Sequence, residues 1–223
     1  ACEKLRYQSL SKKNLLKNEK DLKIDIRVSK KKKIIEIEDN GIGMTKQELI
    51  DNLGTIARSG TSKFIDALKN KKEGDISAIG QFGVGFYSSY MVSDKVDVLS
   101  KDAANNEINL WSSNGKENYS IESAEKEKRG TCITLNIKKD ADEFLDPFRL
   151  RSIITKYSNY IPFPIYLKDL DDKEKEEKIN EGSPLWLKDK KDIKEEDYKQ
   201  FYNNISFNFD EPLKTIHCNA EGV

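Results

Sequence analysis

The sequence predicts an α+β protein, a two-layer sandwich in which helices cover a mixed, largely antiparallel sheet. Short segments with apolar residues at every second position follow one another along the chain, which is typical of neighbouring antiparallel strands. Segments with helical spacing gather in blocks, near residues 45–56 and 147–161, around these strands. These two observations together give the predicted fold class.

Length and composition narrow the classes of protein to which the chain can belong. Its 223 residues suggest one full domain and part of another. Lysine plus arginine and aspartate plus glutamate number 39 each, so the formal net charge of zero argues against a basic nucleic-acid-binding surface. No stretch approaches the roughly 20 apolar residues of a membrane helix. Three widely spaced cysteines suggest neither a disulfide framework nor a zinc site, which indicates a reduced, intracellular protein.

The first predicted elements are the tail of a helix over residues 2–10 and a pair of strands. Residues 23–29 form one strand, and its partner ends at Asp39. The run of four lysines between them is interpreted as a solvated turn and not as a nucleic-acid contact. Ser113-Asn114-Gly115 predicts a hairpin between two later strands. The later strands are predicted around residues 96–98, 108–110, 119–121 and 133–137.

Three further helices are predicted from capping signals and apolar spacing. The run from Thr45 to Glu48 is a capping-box pattern, so a helix begins there. Residues 86–92 predict a short buried helix. Residues 147–161 predict a longer helix, which Pro162 ends. The apolar residues at helical spacing that would form its buried face are Phe148, Ile153, Ile154, Tyr157 and Ile161.

Composition divides the chain into three parts. Residues 1–167 make the first domain, which ends in an edge-like strand through Leu167. Residues 168–182 are mostly lysine, aspartate and glutamate and are predicted to be a charged linker. Residues 183–223 regain aromatic side chains and predict the start of a second domain. The single histidine, His217, is interpreted as structural and not as a general base.

The predicted functional site begins at Asp39, just before the turn Gly41-Ile42-Gly43. A carboxylate there can accept hydrogen bonds from a small planar ligand that a bare backbone allows to come close. It would accept from the amino group of adenine and repel the carbonyl oxygen of guanine. Gly43 leaves room for the base, and Met44 offers it a polarizable apolar contact. The plain alternative is that Asp-Asn-Gly is only a turn.

A second motif, Gly80-x-x-Gly83-x-Gly85, opens an apolar helical run. A glycine loop at a helix N-terminus presents N–H groups and a positive dipole end to phosphate. The motif lacks the ending of a P-loop, and its spacing is not that of a dinucleotide fold. The weakly apolar segment between the two motifs predicts a mobile lid over about residues 54–86, or alternatively an ordinary surface loop. Asn52 and Arg58 lie where they could reach ribose or phosphates.

The run from Asp39 to Phe86, with Asn52-Leu53-Gly54-Thr55-Ile56-Ala57-Arg58-Ser59-Gly60-Thr61 inside it, closely resembles the heat-shock protein 90 chaperone family. The resemblance covers nearly the whole chain and continues through Arg129-Gly130-Thr131 and Pro184-Leu185-Trp186. The short charged linker looks more like the bacterial form than the long-linker eukaryotic cytosolic forms. The resemblance implies the split-sheet ATP-binding fold that type II topoisomerases, mismatch-repair ATPases and histidine kinases share.

The resemblance also implies roles for individual residues. Asp39 would hold the adenine amino group, and Thr131 would support it through hydroxyl and water contacts. Gly43 and Met44 would line the base pocket. The matching positions that would surround sugar and phosphates are Asn52, Arg58, Gly83, Val84, Gly85 and Phe86. The family usually has lysine where Arg58 stands. The positive charge is kept, but the planar, forked guanidinium of arginine differs in geometry from the point charge of a lysine ammonium group.

By the same resemblance, the whole protein binds ATP or ADP with Mg²⁺ and hydrolyses ATP. The family's catalytic glutamate and magnesium-ligating asparagine lie on a first helix, just before the segment that matches Ala1 to Arg6. The first strand and that helix are therefore expected to be missing, and no catalytic base is assigned. The arginine that would contact the γ-phosphate is expected beyond Val223, so this chain alone is expected to be inactive.

The resemblance implies a cytoplasmic, stress-response chaperone that acts as a homodimer on unfolded or partly folded client proteins. It implies no nucleic-acid or membrane partner. A topoisomerase or mismatch-repair ATPase is one alternative, which the zero net charge disfavours. A histidine kinase would need a phosphoacceptor histidine in a helical hairpin, and His217 has no such setting. A non-catalytic adenine-nucleotide sensor is the alternative from another class.

Overall fold

Alternating apolar residues form strands along most of the chain, as the sequence predicts. The computed structural model describes residues 1–16, 19–54, 84–116, 118–172, 176–182, 185, 188–206 and 210–218. The eight strands are β1 Ile24–Ser29, β2 Ile34–Asp39, β3 Ser93–Lys101, β4 Ile108–Ser113, β5 Tyr119–Ser123, β6 Gly130–Ile137, β7 Ile165–Asp169 and β8 Glu176–Lys178. The α-helices are α1 Cys2–Ser11, α2 Lys46–Leu53, α3 Pro147–Ser158 and α4 Glu195–Ser206.

The strands form one sheet in the order β5-β4-β3-β6-β2-β1-β7-β8. Strands β1 and β7 run parallel, and every other neighbouring pair among the described strands runs antiparallel. The predicted α+β class and largely antiparallel sheet are therefore confirmed. Both predicted turns are present: Lys33 adopts a φ of 55° between β1 and β2, and Gly115 one of 72° between β4 and β5.

The core lies between one face of the sheet and helices α2 and α3. Val96, Val98 and Leu135 from the central strands pack in one buried cluster with Leu49 of α2 and Ile154 of α3. Burying such a side chain stabilises the fold by about 1.5–3 kcal/mol. This apolar cluster fixes α2 over the sheet and so positions the loop that leads into it.

The predicted helix over residues 86–92 is a 3-10 helix, Gly85–Met91, and it is only half-buried. Phe86 packs edge-on against the Trp111 ring at a centroid distance of 5.6 Å, whereas Met91 is largely exposed. The Ser88 hydroxyl donates to Gly85 O at 2.6 Å. Serines bonded to the carbonyl three residues back compete with regular α-helical bonding, which accounts for the tighter turn.

Helix α3 ends at Ser158, earlier than predicted, and only part of its predicted apolar face is buried. Leu150 and Ile154 face the core, whereas Phe148 and Tyr157 are exposed. The Asp146 side chain accepts from Phe148 N and caps the helix, which fixes the rotation of its first turn. Apolar spacing therefore predicted the buried position of Ile154 correctly and those of Phe148 and Tyr157 wrongly.

Strand β7 is not the edge strand that the sequence predicts, because β8 pairs along its outer side. The predicted charged linker, residues 168–182, contains the end of β7 and all of β8. Asn180 is buried: its Oδ1 accepts from Ile165 N at 2.8 Å, and its Nδ2 donates to Ile161 O and Phe163 O, each at 2.9 Å. Backbone pairing and one buried amide side chain thus order part of a segment whose composition predicts no regular structure. The division into three parts stays a prediction.

Helix α4 belongs to the part predicted to begin a second domain. Its Tyr198 hydroxyl shares a hydrogen bond of 2.8 Å with His217 Nδ1, and Phe201 lies 6.4 Å from the Tyr160 ring. The histidine thus has a tyrosine partner within its own part of the chain, as a structural role requires. No helix among the described residues is both long and apolar enough to cross a membrane.

Candidate functional site

A row of polar side chains crosses three central strands at the end of the core. Asp39 in β2 lies opposite Thr131 in β6, and Thr131 lies opposite Ser100 in β3. Side chains two residues apart along a strand lie on the same face of the sheet. Val98 is two residues from Ser100 and packs in the core cluster, so the whole row points to the helix-covered side. The next row on the same face, two residues from each member, is Ile37, Ile133 and Val98. The covered face therefore changes from apolar to polar at Asp39.

The two hydroxyl groups of this row are bonded to each other and to the following loop. Ser100 Oγ and Thr131 Oγ1 are 2.9 Å apart, and Met44 N donates to Ser100 Oγ at 2.8 Å. Ser100 is 0% exposed and Thr131 is 5% exposed. Ser100 thus joins the β2–α2 loop to the strand that carries Thr131.

Asp39 has one carboxylate oxygen bonded and one available. Its Oδ1 accepts from Gly41 N at 2.8 Å, and in the described part of the chain its Oδ2 accepts no hydrogen bond. Burial raises the pKa of this carboxyl above its ordinary value, while the Gly41 N–H and the charge of Lys126 act to lower it. A partly desolvated carboxylate with a free oxygen is a strong acceptor for an N–H donor.

The preceding carboxylate, Glu38, faces the opposite side of the sheet. Arg27 Nη2 donates to Glu38 Oε2 at 2.7 Å, and Lys126 Nζ donates to Glu38 Oε1. Burial alone would raise the pKa of Glu38, but these two hydrogen bonds and charges hold it below its ordinary value. Asp39 and Glu38 therefore differ in role: Glu38 is saturated by cations, and Asp39 keeps an open acceptor.

Asn40, the middle residue of the Asp-Asn-Gly turn signal, fixes the loop that follows Asp39. Its Oδ1 accepts from Lys23 N at 2.8 Å, and its Nδ2 donates to Asp21 O at 2.8 Å. Ala103 N donates to Ile42 O at 2.9 Å and holds the other side of the loop. The Asp-Asn-Gly motif contains Asn40, but the hydrogen-bond partners of its side chain are 17 and 19 residues away in the chain.

The backbone conformation at position 43 requires glycine. Gly43 has a φ of 70°, and a Cβ atom there would overlap the Lys101 carbonyl group. Any other residue would be strained and would push the loop away from β3. The structure thus gives a local reason for glycine, and the prediction that Gly43 leaves room for a base stays a prediction.

Helix α2 begins with the capping box that the sequence predicts. Thr45 Oγ1 accepts from Glu48 N, and the Glu48 side chain accepts from Thr45 N. Lys4 of α1, which belongs to no sequence motif, donates to Glu48 Oε1 at 3.0 Å. Asn52 Nδ2 lies 4.0 Å from Met44 Sδ, so the predicted residues Asn52 and Met44 are neighbours.

The structure brings together one half of the predicted site. Asp39, Gly43, Met44, Asn52 and Thr131 lie at the row or on the loop and helix beside it. Arg58, Gly83 and most of the predicted lid lie outside the described residues.

The remaining predicted positions lie on the 3-10 helix and the residue before it. Val84 is exposed, Gly85 borders open space, and Phe86 packs on Trp111. Within the described residues, no hydrogen bond or ring contact joins these three to Asp39. Their predicted role around sugar and phosphates is therefore untested.

The described residues offer hydrogen-bonding groups and no metal centre. No group of three or more His, Cys, Asp or Glu side chains among them is arranged to hold a metal ion. What the row can do is present an acceptor at Asp39 beside a hydroxyl at Thr131. That pair matches a ligand edge with an N–H donor and an adjacent polar atom.

Comparison with known proteins points to one family along the chain. Residues 13–143 match the family model described as "Histidine kinase-, DNA gyrase B-, and HSP90-like ATPase". Residues 170–223 match the model described as "Hsp90 protein". The first match includes every strand from β1 to β6, and so contains the whole polar row.

Curated relatives are similar over the whole chain. It is 50% identical over 100% of its length to "Chaperone protein HtpG" of Orientia tsutsugamushi, covering 35% of that protein. It is 47% identical over 100% of its length to the proteins of the same name from Roseobacter denitrificans and Rickettsia canadensis, covering 35% and 36% of them. The chain thus spans about one third of the length of these relatives.

Proposed function

The chain belongs to the histidine kinase-, DNA gyrase B- and HSP90-like ATPases, in the HSP90 family, and we propose that it is the nucleotide-binding part of an ATP-dependent molecular chaperone. The observation that carries this proposal is the polar row: a carboxylate with a free oxygen at Asp39, beside the buried hydroxyl of Thr131. The relatives are named as chaperones, which supports extending the proposal from binding to chaperone activity.

Adenine recognition in this proposal rests on Asp39. Its Oδ2 would accept from the exocyclic amino group, and Thr131 would bond the neighbouring ring nitrogen directly or through a water molecule. Gly43 and Met44 would border the base. The residues proposed to surround sugar and phosphates are Asn52, Arg58, Gly83, Val84, Gly85 and Phe86. ATP and ADP share the adenosine part, so both should bind.

Hydrolysis belongs to the whole protein in this proposal. Among the described residues Glu48 caps α2 and pairs with Lys4, so it does not stand free as a general base. Mg²⁺ is a proposed cofactor of the whole protein, since no group of three or more His, Cys, Asp or Glu side chains among the described residues is arranged to hold a metal ion. The catalytic residue stays unassigned, and the expected inactivity of these 223 residues alone stays a prediction.

The proposed partners are unfolded or partly folded client proteins, with a homodimer as the working unit. The proposed setting is the cytoplasm, in the stress response, without a nucleic-acid or membrane partner. Net neutrality supports the absence of a nucleic-acid surface. The match of residues 170–223 to the Hsp90 model favours a chaperone over a topoisomerase or mismatch-repair ATPase.

The test uses the full-length protein with an aggregating client. A reporter enzyme is unfolded by heat, and light scattering, recovered activity and phosphate release are followed with ATP, with ADP and without nucleotide. The proposal expects slow phosphate release and better client recovery with ATP than with ADP. Turnover without any effect on the client would point to another ATPase of this family, and binding without turnover would point to a nucleotide sensor.

A further inference from the structure

Ser100 stands at the β3 end of the polar row, and Thr131 lies between it and Asp39. Its hydroxyl oxygen accepts from Met44 N at 2.8 Å and lies 2.9 Å from Thr131 Oγ1. The side chain is 0% exposed, so bulk water reaches neither contact. The hydrogen of this hydroxyl must therefore find its acceptor inside the protein.

The direction of the Ser100–Thr131 bond follows from counting hydrogens and lone pairs. A serine hydroxyl has one hydrogen and two acceptor positions, and Met44 N already fills one of those positions. If Thr131 donated to Ser100, the second position would be filled and the Ser100 hydrogen would need a third partner. Among the described residues Ser100 Oγ has no third partner. With Ser100 donating to Thr131, the fully buried Ser100 hydroxyl is satisfied, and the one hydrogen left over belongs to Thr131, which lies beside Asp39.

Thr131 is thereby left with its own hydrogen to donate. It lies opposite Asp39 on the neighbouring strand, where directly opposed side chains are about 4.5–5.5 Å apart at Cβ. No direct hydrogen bond joins Thr131 and Asp39 within the described residues, so a ligand atom or a water molecule fits between them. The row then offers a donor at Thr131 next to an acceptor at Asp39.

We propose that Ser100 is a positioning residue that holds Thr131 as a hydrogen-bond donor and thereby sets the preference of the site for adenine over hypoxanthine or guanine. This inference rests on the proposed nucleotide-binding function. Adenine presents an amino donor beside a ring-nitrogen acceptor, which complements an acceptor at Asp39 and a donor at Thr131. Hypoxanthine and guanine present a carbonyl acceptor beside an N–H donor, the opposite order.

The test compares ADP with inosine diphosphate, which has nearly the same shape and the inverted edge. Dissociation constants are measured by calorimetry on the full-length protein, as wild type, Ser100→Ala and Ser100→Thr. Wild type should prefer ADP by at least about tenfold. In Ser100→Ala the ADP affinity should fall by about three- to tenfold, because Thr131 is free to turn, while the inosine diphosphate affinity changes by less than about twofold.

Two variants separate positioning from a general structural effect. Ser100→Thr keeps the hydroxyl and should restore the preference to within about twofold of wild type. Ser93→Ala, at the other end of β3, removes a buried hydroxyl that bonds Ser89 O at 2.7 Å and should leave the ratio unchanged.

The outcomes distinguish this inference from the function on which it rests. A wild type that binds neither nucleotide, or binds both equally, would contradict adenine recognition itself. A wild type that prefers ADP, together with Ser100→Ala that keeps the full preference or loses both affinities in parallel, would overturn only the role of Ser100. A folded Ser100→Thr protein without the preference would overturn it as well.

Discussion

Asp39 and Glu38 are neighbours in sequence, yet their carboxylates lie on opposite faces of the sheet and have opposite shifts in pKa. Arg27 and Lys126 hold the pKa of Glu38 below its ordinary value against the effect of burial, whereas burial raises the pKa of Asp39. One carboxylate therefore stabilises the fold, and the other is kept available at the candidate site. A strand that alternates its faces makes this division within two residues.

The first prediction concerns the dependence of stability on pH. Glu38 has a lowered pKa when folded, so its contribution is present above its ordinary pKa of 4.5 and is lost as the pH falls through the folded value. Glu38→Gln should therefore lower the free energy of unfolding at pH 7, and the difference from wild type should shrink below pH 4.5. Urea unfolding at several pH values measures this. A deficit that stays constant down to pH 3 would contradict it.

Asp39 should show the opposite sign. Its folded pKa is raised, so its ionisation opposes folding at neutral pH, and the stabilising contribution of the neutral form is complete only below the ordinary pKa of 3.8. Asp39→Asn should therefore unfold at a higher urea concentration than wild type at pH 7 without nucleotide, with the gap closing toward pH 3. Lower stability of Asp39→Asn at pH 7 would contradict this prediction and show that the Gly41 N–H bond needs the charged carboxylate.

Asn40 should be essential to the loop beside the site. Asn40→Ala removes the partner of Lys23 N and of Asp21 O and should cost about 1–3 kcal/mol in the free energy of unfolding. Chemical denaturation measures the loss, and Asn105→Ala, at an exposed position, is the control. Equal stability of the two variants would mean that the loop holds without this amide.

Asn180 tests whether the charged segment is part of the sheet. Asn180→Ala removes an acceptor for Ile165 N and a donor to two carbonyl groups, and should cost about 2–4 kcal/mol. Glu176→Ala, at an exposed position in β8, should change stability by less than about 0.5 kcal/mol. If Asn180→Ala were as mild as Glu176→Ala, residues 176–182 would behave as the linker that composition predicts.

Local signals predicted much of the fold and less of the site. The alternating strands, the capping box from Thr45 to Glu48 and the Asn114-Gly115 turn depend on neighbouring residues, and the structure contains all of them. Strand β8 was not predicted because its pairing with β7, and not its charged composition, orders it. Phe148 and Tyr157 were placed on the wrong face because the cap at Asp146 sets the rotation of α3.

Local sequence signals likewise predict only part of the candidate site. Asp39 stands out in the sequence because a glycine turn follows it, whereas Thr131 is identified as a site residue only through a family resemblance. Ser100 carries no signal in sequence, since it is one polar residue near the end of a strand. Its contact with Thr131, 31 residues away, depends on the sheet register that places the two residues opposite each other. Contacts fixed by sheet register over such separations cannot be derived from local pattern.

The central claim is that Asp39 is the principal contact for adenine, and its most direct test is calorimetric titration of ADP into full-length wild type, Asp39→Asn and Glu38→Gln. Asp39→Asn exchanges an acceptor for a partial donor and should weaken binding by roughly 1–3 kcal/mol. Glu38→Gln alters the adjacent carboxylate on the other face and should leave the affinity within about twofold, so it controls for charge and folding. Wild-type affinity in Asp39→Asn would contradict the assignment of the site.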